Sequence, residues 1–520
     1  MRRLILALTA ALCLAGAAAA HPVNWGPVID KAARYWVALD EANRLSQQAK
    51  EGDPRYYLFS GKNLQLHVSK ECVYWTAKYG HARWESSGEV IYGTYSALSS
   101  IYAALLSGEA HVKDWPEPYR SRMATAVTTA LAKLLSLQHK DGGWGWKVIL
   151  SSGTTRFPSG KGHVLRTAQI LADVVIPALR LNIREVTLNG ARYDVAKCAQ
   201  AAVRFLLDQQ LGDGGYSANR TWSKTEDPLY TAQALRALCE AYRYRDLIGL
   251  SEATVNQIKQ AIRKAVQWLE SHQNPPNSRE GPNLWEMESA AIMGSRYAPP
   301  SEATILLGLI DAYSLADELG LDKNKLADCI NRALKALVDW AAKCRSHSVV
   351  QFDGKKAVGW AYSSTRLSGV GPYVLHTARV LMALTLAQRL GLGNDAIREL
   401  NQLGATMESE QEWLYHECVQ YDGLAAFPYP NRENFERVSA SSQMYGTLCA
   451  VAFSHPEVFL QRTTADVHRL IPNVGATERG TSETGKGGGK TGAKGTRGTH
   501  GIPVHPLAVA VALALLRRRR

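Results

Sequence analysis

A chain of 520 residues with 60 Lys and Arg against 47 Asp and Glu carries a formal charge of +13, which raises the question of a nucleic-acid partner. The charge is concentrated at the ends: the segment after Ile471 holds nine Lys or Arg against two Glu, and the first twenty residues add two Arg. The body is left near +4, so no nucleic-acid surface is expected, and the seven cysteines that follow the first twenty residues, without a C-x-x-C or a Cys/His cluster, signal no metal site.

Residues 1–20, MRRLILALTAALCLAGAAAA, place two arginines before an apolar run that ends in small residues, the layout of a secretory signal peptide, so export to the periplasm, cell surface or envelope is expected. Residues 21–472 form the body. Residues 473–502 are rich in Gly, Lys and Thr, too poor in apolar surface to fold, and read as a disordered linker. Its GGGKTG has neither the full spacing nor the flanking elements of a phosphate-binding loop. Residues 503–520 join a short apolar run to four arginines and read as a membrane tether. They also resemble a bacterial C-terminal sorting tail, with Pro503-Val504-His505-Pro506 where that signal has Val-Pro-Glu-Pro, which implies a C-terminal processing enzyme as a partner. Cys329 and Cys344 are candidates for a bridge in an oxidising compartment, with buried free thiols as the alternative.

The body reads as helix after helix, apolar with a 3.6-residue period and broken by Gly, Pro and Asn. Outer, amphipathic helices are expected over 26–48, 118–139, 193–210, 252–273, 323–343 and 394–416. Between them a Thr-small-polar phrase recurs at the start of six more apolar helices, at Thr94, Thr167, Thr231, Thr304, Thr377 and Ser441. Apolar helices must be covered and amphipathic ones must cover them. The fold class expected is therefore all-α, an (α/α)6 toroid of six hairpins with six inner and six outer helices.

The outer helices end in LLSLQHKDGGWGW (134–146) and FLLDQQLGDGGY (205–216), and KAVQWLESHQ (264–273) follows the same pattern. These stretches resemble the glutamine–tryptophan repeats of squalene cyclases and the wider terpenoid cyclase and protein prenyltransferase toroids. The resemblance covers residues 26–460 and implies the toroid fold, which some polysaccharide lyases share. It does not carry the chemistry: the cyclase Asp-x-Asp-Asp acid is replaced by KTEDPLYTAQAL, and no Asp-x-Cys with a downstream His matches the prenyltransferase zinc site.

Arginine recurs in the loops that enter the inner helices, at Arg83, Arg156, Arg220, Arg296, Arg366 and Arg432, often followed by an aromatic such as Trp84, Phe157, Trp222, Tyr297 or Phe435. Parallel inner helices would gather these loops at one mouth, where helix N-termini and guanidinium forks suit an anion. Framework pairing or capping of the preceding outer helix is the alternative for each arginine, and packing between loops for each aromatic. Inside the cavity, Arg166 and Gln169, Tyr230 and Gln233, and His376 and Arg379 vary between repeats, with Lys161 and His163 at one entrance.

The leading reading is an exported enzyme that cleaves an anionic, uronate-containing polysaccharide by β-elimination. Arginines would neutralise the carboxylate, and Tyr230, His376 or His163, with Arg379, would handle the protons. The alternatives are an (α/α)6 glycoside hydrolase using Glu226, Asp227 or Glu302, a non-catalytic glycan-binding toroid, and a terpene cyclase-like protein without the usual acid. No cofactor is signalled, and calcium is left open.

Overall fold

The computed structural model describes residues 23–48, 64–68, 73–77, 90–145, 161–221, 225–278, 281–287, 297–343, 349–361, 372–421, 423–429, 431–432 and 438–471. All belong to one compact unit, Met1–Gly475; the second unit, Ala476–Arg520, lies outside the described residues, as do the expected signal segment, linker and tail. Among the described residues no helix is long and apolar enough to cross a membrane, and no group of three or more His, Cys, Asp or Glu is placed to hold a metal ion. Cys329 is a buried free thiol, and Cys344 lies outside the described residues.

The chain is mostly helical. In order come α1 (Gly26–Gln48), α2 (Val90–Leu106), α3 (Tyr119–Ser136) and α4, which runs as Val164–Ile170, a π-helical turn Leu171–Val175, and Ile176–Arg180. Then follow α5 (Val195–Gln209), α6 (Pro228–Arg243), α7 (Glu252–His272), α8 (Pro299–Ser314), α9 (Lys323–Lys343) and α10 (Val374–Arg389). The last helices of more than one turn are α11 (Asn394–Gln402), α12 (Met407–Glu417) and α13 (Ala440–Ser454), with single-turn helices at Arg245–Ile248, Ala316–Leu319, Glu457–Leu460 and Val467–Leu470. The single outer helix expected over 394–416 is two, because Gly404 adopts φ +80° and Thr406 caps α12 anew.

The apolar helices touch in a closed cycle: α2 on α4, α4 on α6, α6 on α8, α8 on α10, α10 on α13, and α13 back on α2. The amphipathic helices lie against them, α1 on α2, α5 on α4, α7 on α6, α9 on α8 and α12 on α10. The first and last elements meet where Trp25 stacks on Phe453 and Lys31 Nζ donates to Gln420 Oε1 at 3.0 Å. Close approach in the inner layer depends on small residues: a Cβ on Gly308 of α8 would stand 2.5 Å from the Ala232 carbonyl oxygen of α6.

Among the described residues four two-stranded antiparallel hairpins interrupt the helices, which the helical reading of the chain did not include: β1–β2 (Leu64–Val68, Val73–Ala77), β3–β4 (Glu185–Leu188, Ala191–Asp194), β5–β6 (Val349–Phe352, Lys355–Val358) and β7–β8 (Val419–Tyr421, Leu424–Ala426). Two turn on Asn189-Gly190 and Asp353-Gly354, all four residues at positive φ, the backbone a two-residue hairpin turn needs.

The recurring phrases form one clamp. Gln138 donates from Nε2 to the Gly142 carbonyl of its own loop and to the Cys198 carbonyl of the next outer helix, at 2.8 and 2.9 Å. Gln210 does the same to Gly214 and Ala261, and Gln273 to Asn283 and Cys329. Trp144, Trp285 and Trp360 cap the preceding outer helix by donating Nε1 to the Leu134, Leu269 and Leu337 carbonyls. The backbone N–H of each clamp aromatic then meets the repeat residue: Trp144 to Thr167 Oγ1, Tyr216 to Thr231 Oγ1 and Trp360 to Thr377 Oγ1, all at 2.9 Å. A buried N–H without an acceptor is costly, and this geometry explains why the phrase repeats.

In the fourth and sixth repeats the equivalent residues are not Thr304 and Ser441. Counting four residues from each N-cap gives Thr167, Thr231, Glu302, Thr377 and Gln443, and it is Glu302 that accepts the Trp285 N–H and Gln443 that accepts the Phe427 N–H. Thr304 instead bonds the Pro300 carbonyl of its own helix. Burial pushes the Glu302 carboxyl well above the usual carboxylate range, so it stands in for a threonine as a neutral group.

Candidate functional site

Loop contacts fix the direction of the inner helices. Asn219, before α6, donates Nδ2 to the Gly162 carbonyl before α4, and Asn431, before α13, donates to the Pro372 carbonyl before α10. At the other ends, Arg180 after α4, Arg243 of α6 and Ser314 of α8 converge: Arg243 donates to Ser314 Oγ, and both arginines bind the segment after α13. The N-termini of α4, α6 and α8 therefore share one end of the unit.

At that end the third and sixth residues after each N-cap give Arg166 and Gln169, Tyr230 and Gln233, Ser301 and Thr304, His376 and Arg379, and Ser442 and Tyr445. Two of the expected groups form real clusters. The His163 ring lies edge-on to Tyr230, centroids 5.5 Å apart, and Arg166 acts electrostatically on both while donating to Gln169 Oε1 at 2.7 Å. His376 stands beside Arg379, whose guanidinium sits 3.8 Å over the Tyr445 ring, and Tyr373 packs against both His376 and Tyr429. Burial, with Arg166 or Arg379 adding to it, holds each histidine down at about 3, so both imidazoles are neutral over the working pH range. Burial and Asp227 raise the Tyr230 phenol to about 12, so it is a proton donor and no phenolate. Gln233 is buried, and its Oε1 accepts no hydrogen bond among the described residues.

The arginines of the entrance loops divide. Arg83, Arg156, Arg296 and Arg366, with Trp84 and Trp222, lie outside the described residues. Arg220 is exposed and its backbone N–H donates to Gln209 Oε1 at 2.9 Å. Arg432 has the geometry of the capping alternative: its guanidinium donates to the His416 carbonyl at 2.6 Å, at the end of α12. Tyr297 acts in packing, its hydroxyl accepting from Asn274 Nδ2 and its ring covering Gly281.

The three carboxylates considered for hydrolysis all have framework tasks. Asp227 caps α6 by accepting the Leu229 N–H, and Glu302 serves the clamp. Glu226 accepts from Trp268 Nε1 at 3.1 Å and shares its proton with Asp213, which with burial raises it to about 7 while Asp213 is lowered.

Sequence reasoning missed a buried ionic line across the ring axis. Tyr95 of α2 donates to Asp173 of α4 at 2.7 Å; Arg236 of α6 bridges Asp173 at 2.8 Å and Asp311 of α8 at 3.4 Å. Tyr445 of α13 is coupled to Tyr95 and Arg236, which brings Arg379 of α10 into the same line, so all six inner helices contribute. The signal was present as single charges inside apolar helices, in QILADVV, QALRAL and GLIDAY. The cavity beside this line measures about 30 Å³ and is lined on one side by Val458 and Phe459 of the segment after α13. That is room for little more than one water, against the 300 Å³ or more of an ordinary ligand pocket. Asp173 and Arg236 therefore form a floor under the Arg166, His163 and Tyr230 cluster, two helical turns or about 10 Å below Arg166 and Tyr230, while Arg379 and Tyr445 link that floor to the second cluster.

No family model matches this sequence, and no curated protein matches it. Solved structures with a similar arrangement include the GH76A α-1,6-mannanase of Salegentibacter sp. HEL1_6, with 13% identity, a TM-score of 0.44, and 83% of this chain and 99% of that chain covered. A glycoside hydrolase from family 105 of C. acetobutylicum ATCC 824 has 12% identity, a TM-score of 0.41, and 68% and 93% covered. A polysaccharide lyase has 11% identity, a TM-score of 0.39, and 81% and 97% covered. At these levels the likeness is one of fold.

Proposed function

We propose that this chain is an (α/α)6 toroid of six helical hairpins and an exported, envelope-tethered enzyme that cleaves a uronate-containing polysaccharide by β-elimination at the mouth of the ring. The observation that carries this reading is the cluster of Arg166, His163 and Tyr230: a fixed cation, a neutral imidazole and a protonated phenol within one contact network. Elimination asks for these three roles. Arg166 neutralises the substrate carboxylate and so acidifies the adjacent carbon, His163 accepts the proton, and Tyr230 donates one to the leaving oxygen.

An (α/α)6 glycoside hydrolase is the second reading; its obstacle is that Glu226, Asp227 and Glu302 have structural partners and that the Asp173–Arg236–Asp311 line adjoins a space too small for a sugar. The test is incubation of the purified chain with pectate, alginate and heparinoid. A rise in absorbance near 235 nm from unsaturated ends, abolished in Tyr230→Phe, is expected. New reducing ends without that absorbance would establish hydrolysis, and binding without either would establish a glycan-binding toroid.

A further inference from the structure

A second cleft lies between β5–β6, α12 and β7–β8, beside the start of the described chain and Arg432 of the loop entering α13. Its volume is about 490 Å³, within the range that holds small ligands. Phe352, Tyr415 and His416 supply ring surfaces, and Asp353, Glu412 and Gln420 supply polar edges. Tyr415 is 39% exposed, the one large hydrophobic side chain so exposed among the described residues, and its ring is fixed edge-on by Trp25 at 5.7 Å. The His416 ring is held 5.9 Å from Phe352.

The lining selects a class of ligand. Its cations are already engaged, Lys355 with Glu412, Arg432 with the His416 carbonyl, and His416, whose imidazole Glu417 raises above its ordinary value, with Glu417 itself, while Asp353 at the hairpin tip carries an exposed carboxylate. A phosphate or uronate would meet no free cation among the lining residues and would face Asp353. A lipid would meet too few apolar walls. A neutral sugar fits: the C–H face of a pyranose stacks on an exposed, rigid aromatic ring, and its hydroxyls donate to carboxylate and amide oxygens.

We infer that this cleft, lined by none of Arg166, His163 and Tyr230, is a neutral-saccharide binding site, independent of whether the mouth performs elimination. Two pyranose units match its volume. It would hold an uncharged stretch of a glycan against the outside of the protein.

The test is calorimetric titration of the full chain with cellobiose, maltose, lactose and xylobiose, repeated on Tyr415→Ala, Asp353→Asn and Arg166→Ala. Saturable binding of at least one disaccharide is expected, weakened tenfold or more by Tyr415→Ala, several-fold by Asp353→Asn on the exposed hairpin tip, and unchanged by Arg166→Ala. Circular dichroism and melting temperature establish that each variant is folded. The inference is overturned if none of the four binds at 10 mM, if folded Tyr415→Ala and Asp353→Asn bind as the parent does, or if binding is lost in Arg166→Ala.

Discussion

At the scale of single residues, the clamp and the buried titratable groups make separable predictions. Thr377→Val is nearly isosteric but leaves the buried Trp360 N–H without its acceptor, so it should cost about 1–3 kcal/mol. Chemical denaturation will measure this, and Thr304→Val, whose hydroxyl bonds only within its own helix, should cost less. Glu302 and the two histidines give opposite pH dependences. The folded-state pKa of Glu302 is raised above its ordinary 4.5, so the folded form holds a proton the unfolded chain releases; its contribution is complete below that value and is lost as pH rises. Glu302→Gln should therefore gain stability relative to the parent progressively as pH rises above 4.5. His163 and His376 are depressed from 6.5 to about 3, so their contribution is complete above 6.5 and is lost as pH falls toward 3. Replacing both by Gln should flatten acid unfolding across that window, measured as denaturation midpoints at stepped pH.

At the scale of elements, the glutamines and glycines control how neighbours meet. Gln138→Ala, Gln210→Ala and Gln273→Ala each remove two bonds joining a loop to the next outer helix, and each should cost about 1–2 kcal/mol. Their effects should add in pairs, because the staples share no partners. Gly308→Ala forces α6 and α8 apart at the Ala232 carbonyl and should cost about 1–3 kcal/mol, read as a lower melting temperature. This is also the scale at which the chain was most legible. Five outer helices fall within a few residues of expectation because amphipathic periodicity is local. The hairpins were legible in Asn189-Gly190 and Asp353-Gly354 but lay hidden between long helical patterns. The exchange of Thr for Glu302 and Gln443 was not legible, because it depends on which atom faces a loop N–H and not on residue type. Arg432 shows the same limit: a periodic position fixes its place in the loop, while the direction of its side chain depends on the helix end it meets.

At the scale of the molecule, the ring is held from its centre and sealed at one end. Arg236 compensates two buried carboxylates, and removing one member of such a line strands a charge at a cost of about 3–5 kcal/mol. Arg236→Met should therefore yield little soluble protein. Arg180 is buried and ties the end of α4 to Val458 and Thr463, so Arg180→Ala should loosen the seal and be seen as faster amide exchange in α4 and α13. The opposite end, with Arg166 two turns above Asp173 and Arg379 over the Tyr445 ring, is where the proposed anionic ligand would bind. The most direct measurement is the affinity of oligogalacturonate, oligoalginate and heparin oligosaccharides for the full chain and for Arg166→Gln and Arg379→Gln. The account predicts that at least one uronate oligomer binds, more weakly as salt rises, and that each folded variant binds it at least tenfold less well. Absence of binding by all three, or equal binding by folded variants, would contradict it.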